Sequence, residues 1–117
     1  MIYVFGADPF DRSPSSQALA KALKEAGFKL SEIQHAKTTK DIPDNSWVIC
    51  FGFVPLRALT SLNEPLTELR GQLVSMDSRD DVLVLPTYAP GYLYRNPELM
   101  WQWKEDLVLF KAVISYG

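Results

Sequence analysis

The chain has 117 residues, 47% of them hydrophobic and 22% charged, with a formal net charge of −2. It is too apolar for intrinsic disorder and has the length of one domain, residues 1–117, with enough chain to bury a core. It is not a generally basic nucleic-acid coat, its single cysteine excludes an internal disulfide framework, and no apolar run approaches the roughly 18 residues of a membrane span.

The first residues, MIYVFGADPF, lack the charged start and small-residue cleavage site of a secretory signal, so the expected compartment is a reducing cytoplasm. Ile2 to Phe5 reads as a short buried strand, and Gly6 to Pro14 as a polar, proline-containing loop. Ser15 or Ser16 caps a helix to about Ala26, with Leu19, Ala22, Leu23 and Ala26 at helical spacing and Gly27 in the place of a terminating glycine. Phe28 to Ile33 reads as a short strand and His35 to Asn45 as a polar loop. Trp47 to Phe51 is an unbroken apolar run, the pattern of a strand covered on both faces.

After Gly52 a helix is predicted over Val54–Leu62, with Pro55 in its first turn. Glu64 to Gly71 reads as a turn carrying Leu66, Leu69 and Arg70, Leu73 to Met76 as a strand, and Asp77 to Asp81 as a charged turn. Val82 to Leu85 is a second fully apolar strand, and Thr87 to Pro97 an irregular, tyrosine-rich loop. A last helix opens at Pro97 or Glu98 and reaches about Ile114, with Leu99, Trp103, Leu107 and Phe110 on one face. Trp101 and Trp103 are two apart and cannot share a face, so one of them is expected at the surface. Alternating strands and helices predict an α/β fold, three layers α/β/α around a small, mainly parallel central sheet.

Ligands of such sheets sit at the carboxyl ends of the strands, which singles out three loops: Gly6–Pro14, Gly52–Pro55 and Pro86–Pro97. The first carries Asp8, able to orient a water, but Gly, Asp and Pro are also the common turn formers. It is neither G-x-G-x-x-G nor a Walker loop, so no nucleotide cofactor is expected. Cys50 and His35 cannot supply four metal ligands, so no iron–sulfur cluster or structural zinc is expected either. Cys50, inside an apolar run, reads as a small buried hydrophobe, and His35 with Lys37 and Lys40 as a solvated loop. The third loop brings Tyr88, Tyr92, Leu93, Tyr94 and Arg95 between Pro86 and Pro97. Aromatics stack on bases, leucine wedges into an opened step and arginine holds phosphate, yet the same residues suit a loop packed on its own domain. Composition alone leaves the two readings even.

Three segments in order, WVICFGFVPLRALTS, PLTELRG and LPTYAPGYLYRNPELMWQWKEDL, tip that balance. Together they resemble the C-terminal half of the uracil-DNA glycosylase superfamily, especially its small family-4-like bacterial, archaeal and phage members. Those proteins carry a strand, glycine and helix, then a turn ending Leu-Arg-Gly, then a strand leading into Thr-x-His-Pro-x-Tyr-Leu-x-Arg-Asn-Pro and a helix with Trp and Asp-Leu. The resemblance covers rather more than half the chain and implies that fold. It also implies DNA contact through Tyr92, Leu93, Tyr94 and Arg95, with Arg57 and Arg70 as further phosphate partners.

The departures bear on activity. The family's histidine, which stabilises the transition state, falls at Ala89. The segment that reads the uracil edge is not recognisable between Phe28 and Asn45, and the four cluster cysteines of family 4 are absent. The expectation is a minimal, DNA-binding member with weak or absent base excision, serving replication or repair and able to tether a replication or repair protein to DNA. An active glycosylase with Asp8 positioning water is the alternative. A second alternative is a nucleoside-processing enzyme, because the start MIYVFGADPF and the later KEAGF are faintly similar to nucleoside 2-deoxyribosyltransferases.

Overall fold

A computed structural model of the chain describes residues 2–116. The strands are β1 (Ile2–Phe5), β2 (Ile33–Ala36), β3 (Trp47–Phe51), β4 (Val74–Met76) and β5 (Arg79–Thr87). The helices are α1 (Pro14–Glu25), α2 (Phe53–Leu59), α3 (Leu66–Leu69), α4 (Pro90–Arg95) and α5 (Met100–Tyr116), with short 3₁₀ turns at Leu30–Glu32, Thr39–Asp41 and Pro97–Leu99. The strands form one mixed sheet in the order β2-β1-β3-β5-β4. β2, β1, β3 and β5 are parallel, and β4 pairs antiparallel with β5.

The two continuous apolar runs lie inside the sheet, where both faces of a strand need covering. Side chains alternate across it. Val4, Ile49 and Leu85 are neighbours on adjacent strands and pack with Leu19 and Leu23 of α1, Leu93 of α4, and Trp103, Leu107 and Phe110 of α5. Tyr3, Val48 and Val84, one residue earlier on each strand, pack with Leu56 and Leu59 of α2 and Leu69 of α3. Helices therefore cover both faces. Cys50, on the α2 side, has no exposed surface, and burial pushes its thiol pKa up to about 12.

Several boundaries differ from expectation. Ser13, not Ser15 or Ser16, caps α1: its hydroxyl accepts the Ser16 N–H at 3.2 Å, and Pro14 in the first turn lacks a donor to satisfy. The strand expected over Phe28–Ile33 begins only at Ile33, after a 3₁₀ turn, and takes in His35. This edge strand buries only Ile33 and Ala36, too few apolar positions for a clear alternating pattern. α2 stops at Leu59, not Leu62, because Thr60 is extended and its hydroxyl bonds back to Leu56 O at 3.3 Å. The segment expected as a charged turn over Asp77–Asp81 is mostly strand: the turn closes within Asp77–Ser78, and β5 starts at Arg79 opposite Met76. Within the loop expected over Thr87–Pro97, residues 90–95 form α4; a helical turn opens at Pro97 as expected but is 3₁₀ through Leu99, and α5 itself starts at Met100. Trp101 is the exposed tryptophan, at 61%, and Trp103 the buried one, at 1%.

At Gly6 the backbone has φ +92°, and a Cβ there would stand 2.5 Å from Phe51 O and 2.7 Å from a Pro55 side-chain carbon. Nothing lies within 4 Å of the corresponding position at Gly91, inside α4. Gly6→Ala is expected to cost about 2 kcal/mol or more, from the left-handed backbone and the clash together. Gly91→Ala is expected to be neutral or to gain up to about 1 kcal/mol of helix preference. Urea unfolding of the two variants checks the contrast; equal costs would contradict it.

Candidate functional site

The loops leaving β1, β3 and β5 meet at one edge of the sheet. α1 covers one face and α2 the other, so the winding reverses between β1 and β3, the place where open α/β sheets form a crevice. The Gly52 N–H donates to Thr87 O at 2.9 Å, and a Cβ on Gly52 would lie 3.2 Å from that of Ala89. A cleft of about 690 Å³ opens beside this β3–β5 junction and not at the β1–β3 reversal, with no residue of the loop after β1 in its described lining. It runs between the start of α2, the segment from Asn63 to Thr67, and the segment from Tyr88 to Arg95.

Two half-exposed aromatic rings line the cleft, Phe53 at 41% and Tyr92 at 39% exposure. The Tyr92 ring stacks on that of buried Tyr88, with centroids 5.6 Å apart and planes 19° from parallel. The Arg57 guanidinium lies 5.3 Å from the centre of the Phe53 ring, and Arg95, three residues beyond Tyr92, is itself part of the cleft lining. Gly52, Ala89 and Gly91 add almost no side chain to the lining. No carboxylate and no imidazole occurs among the described lining residues.

The structure separates the residues expected to act together. Tyr92 and Arg95 line the cleft. Tyr94 is exposed but borders a small separate pit with Ala18, Met100 and Trp103, because residues two apart on a helix diverge. Leu93 points into the core at 2% exposure, so α4 would have to lift before it could wedge between bases. Arg57 stands beside the cleft wall at Phe53, while Arg70 is drawn inward to Asp106.

Asp8 lies outside the cleft. One carboxylate oxygen accepts the Phe10 N–H at 2.8 Å, and the other is 3.8 Å from His35 Nδ1. It borders two smaller depressions, one of about 520 Å³ with His35 and Lys37 and one of about 190 Å³ with Ala89 and Gly91. The loop around it is self-satisfied: the Ser16 hydroxyl donates to Asp8 O, and the Asp11 N–H donates to Ser16 Oγ at 3.3 Å. Hydrogen bonds from the Ser13 side chain and backbone hold the exposed Asp11 carboxyl below its ordinary range. No group of three or more His, Cys, Asp or Glu able to hold a metal occurs among the described residues, and no described helix is long and apolar enough to cross a membrane.

Phe53, Asn63, Thr67 and Asp106 were not singled out as site residues from the sequence. Asp106 is the most consequential of them. Its side chain is 4% exposed, with Arg70 Nη1 at 2.7 Å from Oδ1 and Thr87 Oγ1 donating to Oδ2 at 2.7 Å. Gly71, at φ +75°, lets the chain pass beside this carboxylate, since a Cβ there would sit 3.1 Å from Oδ1. The Leu-Arg-Gly turn and the Asp-Leu helix, far apart in sequence, are thus two halves of one buried ion pair. Compared with known protein families and with curated proteins, the chain matches none.

Burial raises the Asp106 pKa above 3.8, outweighing the hydrogen bonds from Thr87 and Arg70, and Glu105 adds to the rise. A carboxyl shifted this way holds its proton more tightly in the folded chain. Its contribution to stability is full below the ordinary value and is lost as the pH rises through the raised folded value. Asp106→Asn removes this titration, so the stability lost on substitution is expected to be greatest in acid and smaller at neutral pH. Urea unfolding of both proteins across that range checks the sign; a cost that grows with pH would refute it.

Proposed function

We propose that the chain is a DNA-binding domain of the uracil-DNA glycosylase superfamily, with weak or absent base excision, acting in replication or repair. The observation that carries this reading is the cleft: two half-exposed rings, Arg57 beside that of Phe53, Arg95 in the lining, and no acidic group among the described lining residues. Rings of that kind stack on bases of any sequence, worth about 1–3 kcal/mol per base, and guanidinium groups meet phosphates. A net charge of −2 leaves the positive field local, which favours a short footprint and marked salt sensitivity.

The weak-excision part of the proposal rests on Ala89 and Asp8. A methyl group stands where the resemblance calls for a hydrogen-bond donor to the departing base, and losing one such donor commonly costs on the order of 10²–10³ in rate. The Asp8 carboxylate faces His35 and the Phe10 N–H rather than the cleft. The competing reading, an active glycosylase, has one observation in its favour: Asp8 shares a depression with Ala89 and Gly91.

Fluorescence anisotropy on short single-stranded DNA, with and without one uracil, tests both readings when the same samples are assayed for abasic sites. Binding with little or no cleavage is expected. Efficient cleavage would support the glycosylase, and no binding at low salt would end the DNA reading.

Variants separate the terms of the binding energy. Arg95→Ala is expected to weaken binding and reduce the slope of log affinity against log salt by about 0.7, one phosphate contact on a single strand. Tyr92→Ala is expected to weaken binding by roughly 5- to 150-fold with the slope unchanged, the equivalent of one stacked base. Tyr94→Ala, on the far side of α4, is expected to have the smaller effect. Anisotropy titrations at three salt concentrations measure all of these, and a larger loss for Tyr94→Ala than for Tyr92→Ala would place the DNA outside the cleft.

A further inference from the structure

We propose that Arg70 is a positioning residue: with Asp106 it clamps the two walls of the cleft at a fixed separation, acting on bound DNA through the shape of the cleft and without touching it. The inference rests on the reading of the cleft as the DNA site.

One wall includes Pro65, Leu66 and Thr67, at the start of α3, and Arg70 follows directly as the residue that caps this helix. The other wall begins at Tyr88, next to Thr87 at the end of β5. Asp106 joins the two, one oxygen taking Arg70 Nη1 and the other the Thr87 hydroxyl, both at 2.7 Å. A second tie lies beside the first, the Gly71 N–H donating to Pro86 O at 3.0 Å.

From this joint a line of contacts leads to the binding surface. The Arg70 guanidinium carbon is 5.9 Å from the centre of the Tyr88 ring. Tyr88 is fixed at its other end by its hydroxyl, which donates to Gln102 Oε1 at 2.9 Å. Its face carries the ring of Tyr92. Arg70 itself is not among the described residues that line the cleft; its side chain is 21% exposed and its Nη1 is taken by the carboxylate. Buried packing of this kind has discrete arrangements and does not stretch smoothly, so loosening the joint displaces the ring on which a base would stack.

The test compares Arg70→Gln, which removes the charge, with Arg70→Lys, which keeps it, and with Thr87→Val, which removes only the second arm. Binding of a labelled single-stranded oligonucleotide is titrated at several salt concentrations. Tyrosine ring resonances are recorded by NMR without DNA, and melting curves confirm that each variant is folded. Arg70→Gln is expected to weaken binding roughly 2- to 30-fold, the range of a substitution acting at a distance, with the salt slope unchanged. The Tyr92 resonances are expected to move before any DNA is added, and Arg70→Lys to restore most of both. A slope reduced by about 0.7 would overturn the proposal by making Arg70 a direct phosphate contact. Unchanged affinity with unmoved Tyr92 resonances in a folded variant would overturn it by reducing the pair to a stabilising role. If the parent protein does not bind DNA, the functional reading falls, and the Tyr92 resonances alone still decide the clamp: movement supports it and none refutes it. If Arg70→Gln does not fold, Thr87→Val, which leaves Arg70 in place, carries the affinity and Tyr92 resonance comparisons, and no change in either would overturn the clamp.

Discussion

A carboxylate removed from water must be surrounded by donors, and that requirement at Asp106 governs how the second half of the chain is assembled. Its two oxygens take an arginine from the end of α3 and a hydroxyl from the end of β5, while its own backbone belongs to α5. Three elements distant in sequence are brought to one point. An ion pair so deeply placed is weak evidence for stability in itself, because desolvation offsets most of the attraction. Its effect is on geometry: either partner alone would be left buried and uncompensated, so alternative ways of docking α5 on the sheet are disfavoured. The cleft lies just beyond this point, and its two walls are the segments that the carboxylate joins.

The sheet supplies the other constraint. Strands β1, β3 and β5 bury both faces, and loops can converge only at their ends. At the carboxyl end the convergence is close enough to exclude side chains, with Gly6 beneath Pro55 and Gly52 against Ala89. What lines the cleft is set by the residues just beyond: Phe53 after Gly52, and Tyr88 to Arg95 around Ala89. The site is therefore built from residues adjacent in sequence to the tightest packing in the molecule, a common arrangement when a rigid scaffold positions loops.

The parallel interior of the sheet was legible in the sequence because Trp47–Phe51 and Val82–Leu85 are apolar without interruption, a pattern with few other homes. The edge strand β2 was not, since only Ile33 and Ala36 are buried, with Gln34 exposed and His35 half-buried between them, and the pairing with β1 is a tertiary fact. The extent of β5 was hidden in the same way, its charged first residues reading as a turn until paired with β4. For the cleft, the sequence pointed to one of the segments that line it and, within it, to Tyr92 and Arg95. It could not show that Leu93 faces inward, because the short helix α4 has two prolines and a glycine around it that read as loop. Arg70 and Asp106 both stood within recognisable segments, but spacing along the chain carries no information on whether an arginine reaches solvent or a buried partner. Phe53 lay inside the Gly52–Pro55 loop that the sequence singled out, but a lone phenylalanine there carried no chemistry to mark it.

The buried thiol of Cys50 gives the molecule an internal probe of local opening. It is the single cysteine of the chain, sits in β3 under α2, and has a pKa pushed up to about 12. Thiol reagents attack the thiolate, and here both the ionised form and a path to it are denied in the closed molecule. Alkylation therefore waits for the α2 layer to leave the sheet. Under mild conditions, where reclosing outpaces the reagent, its rate reads the population of that opened state, with no label to introduce and no second cysteine to confuse the signal.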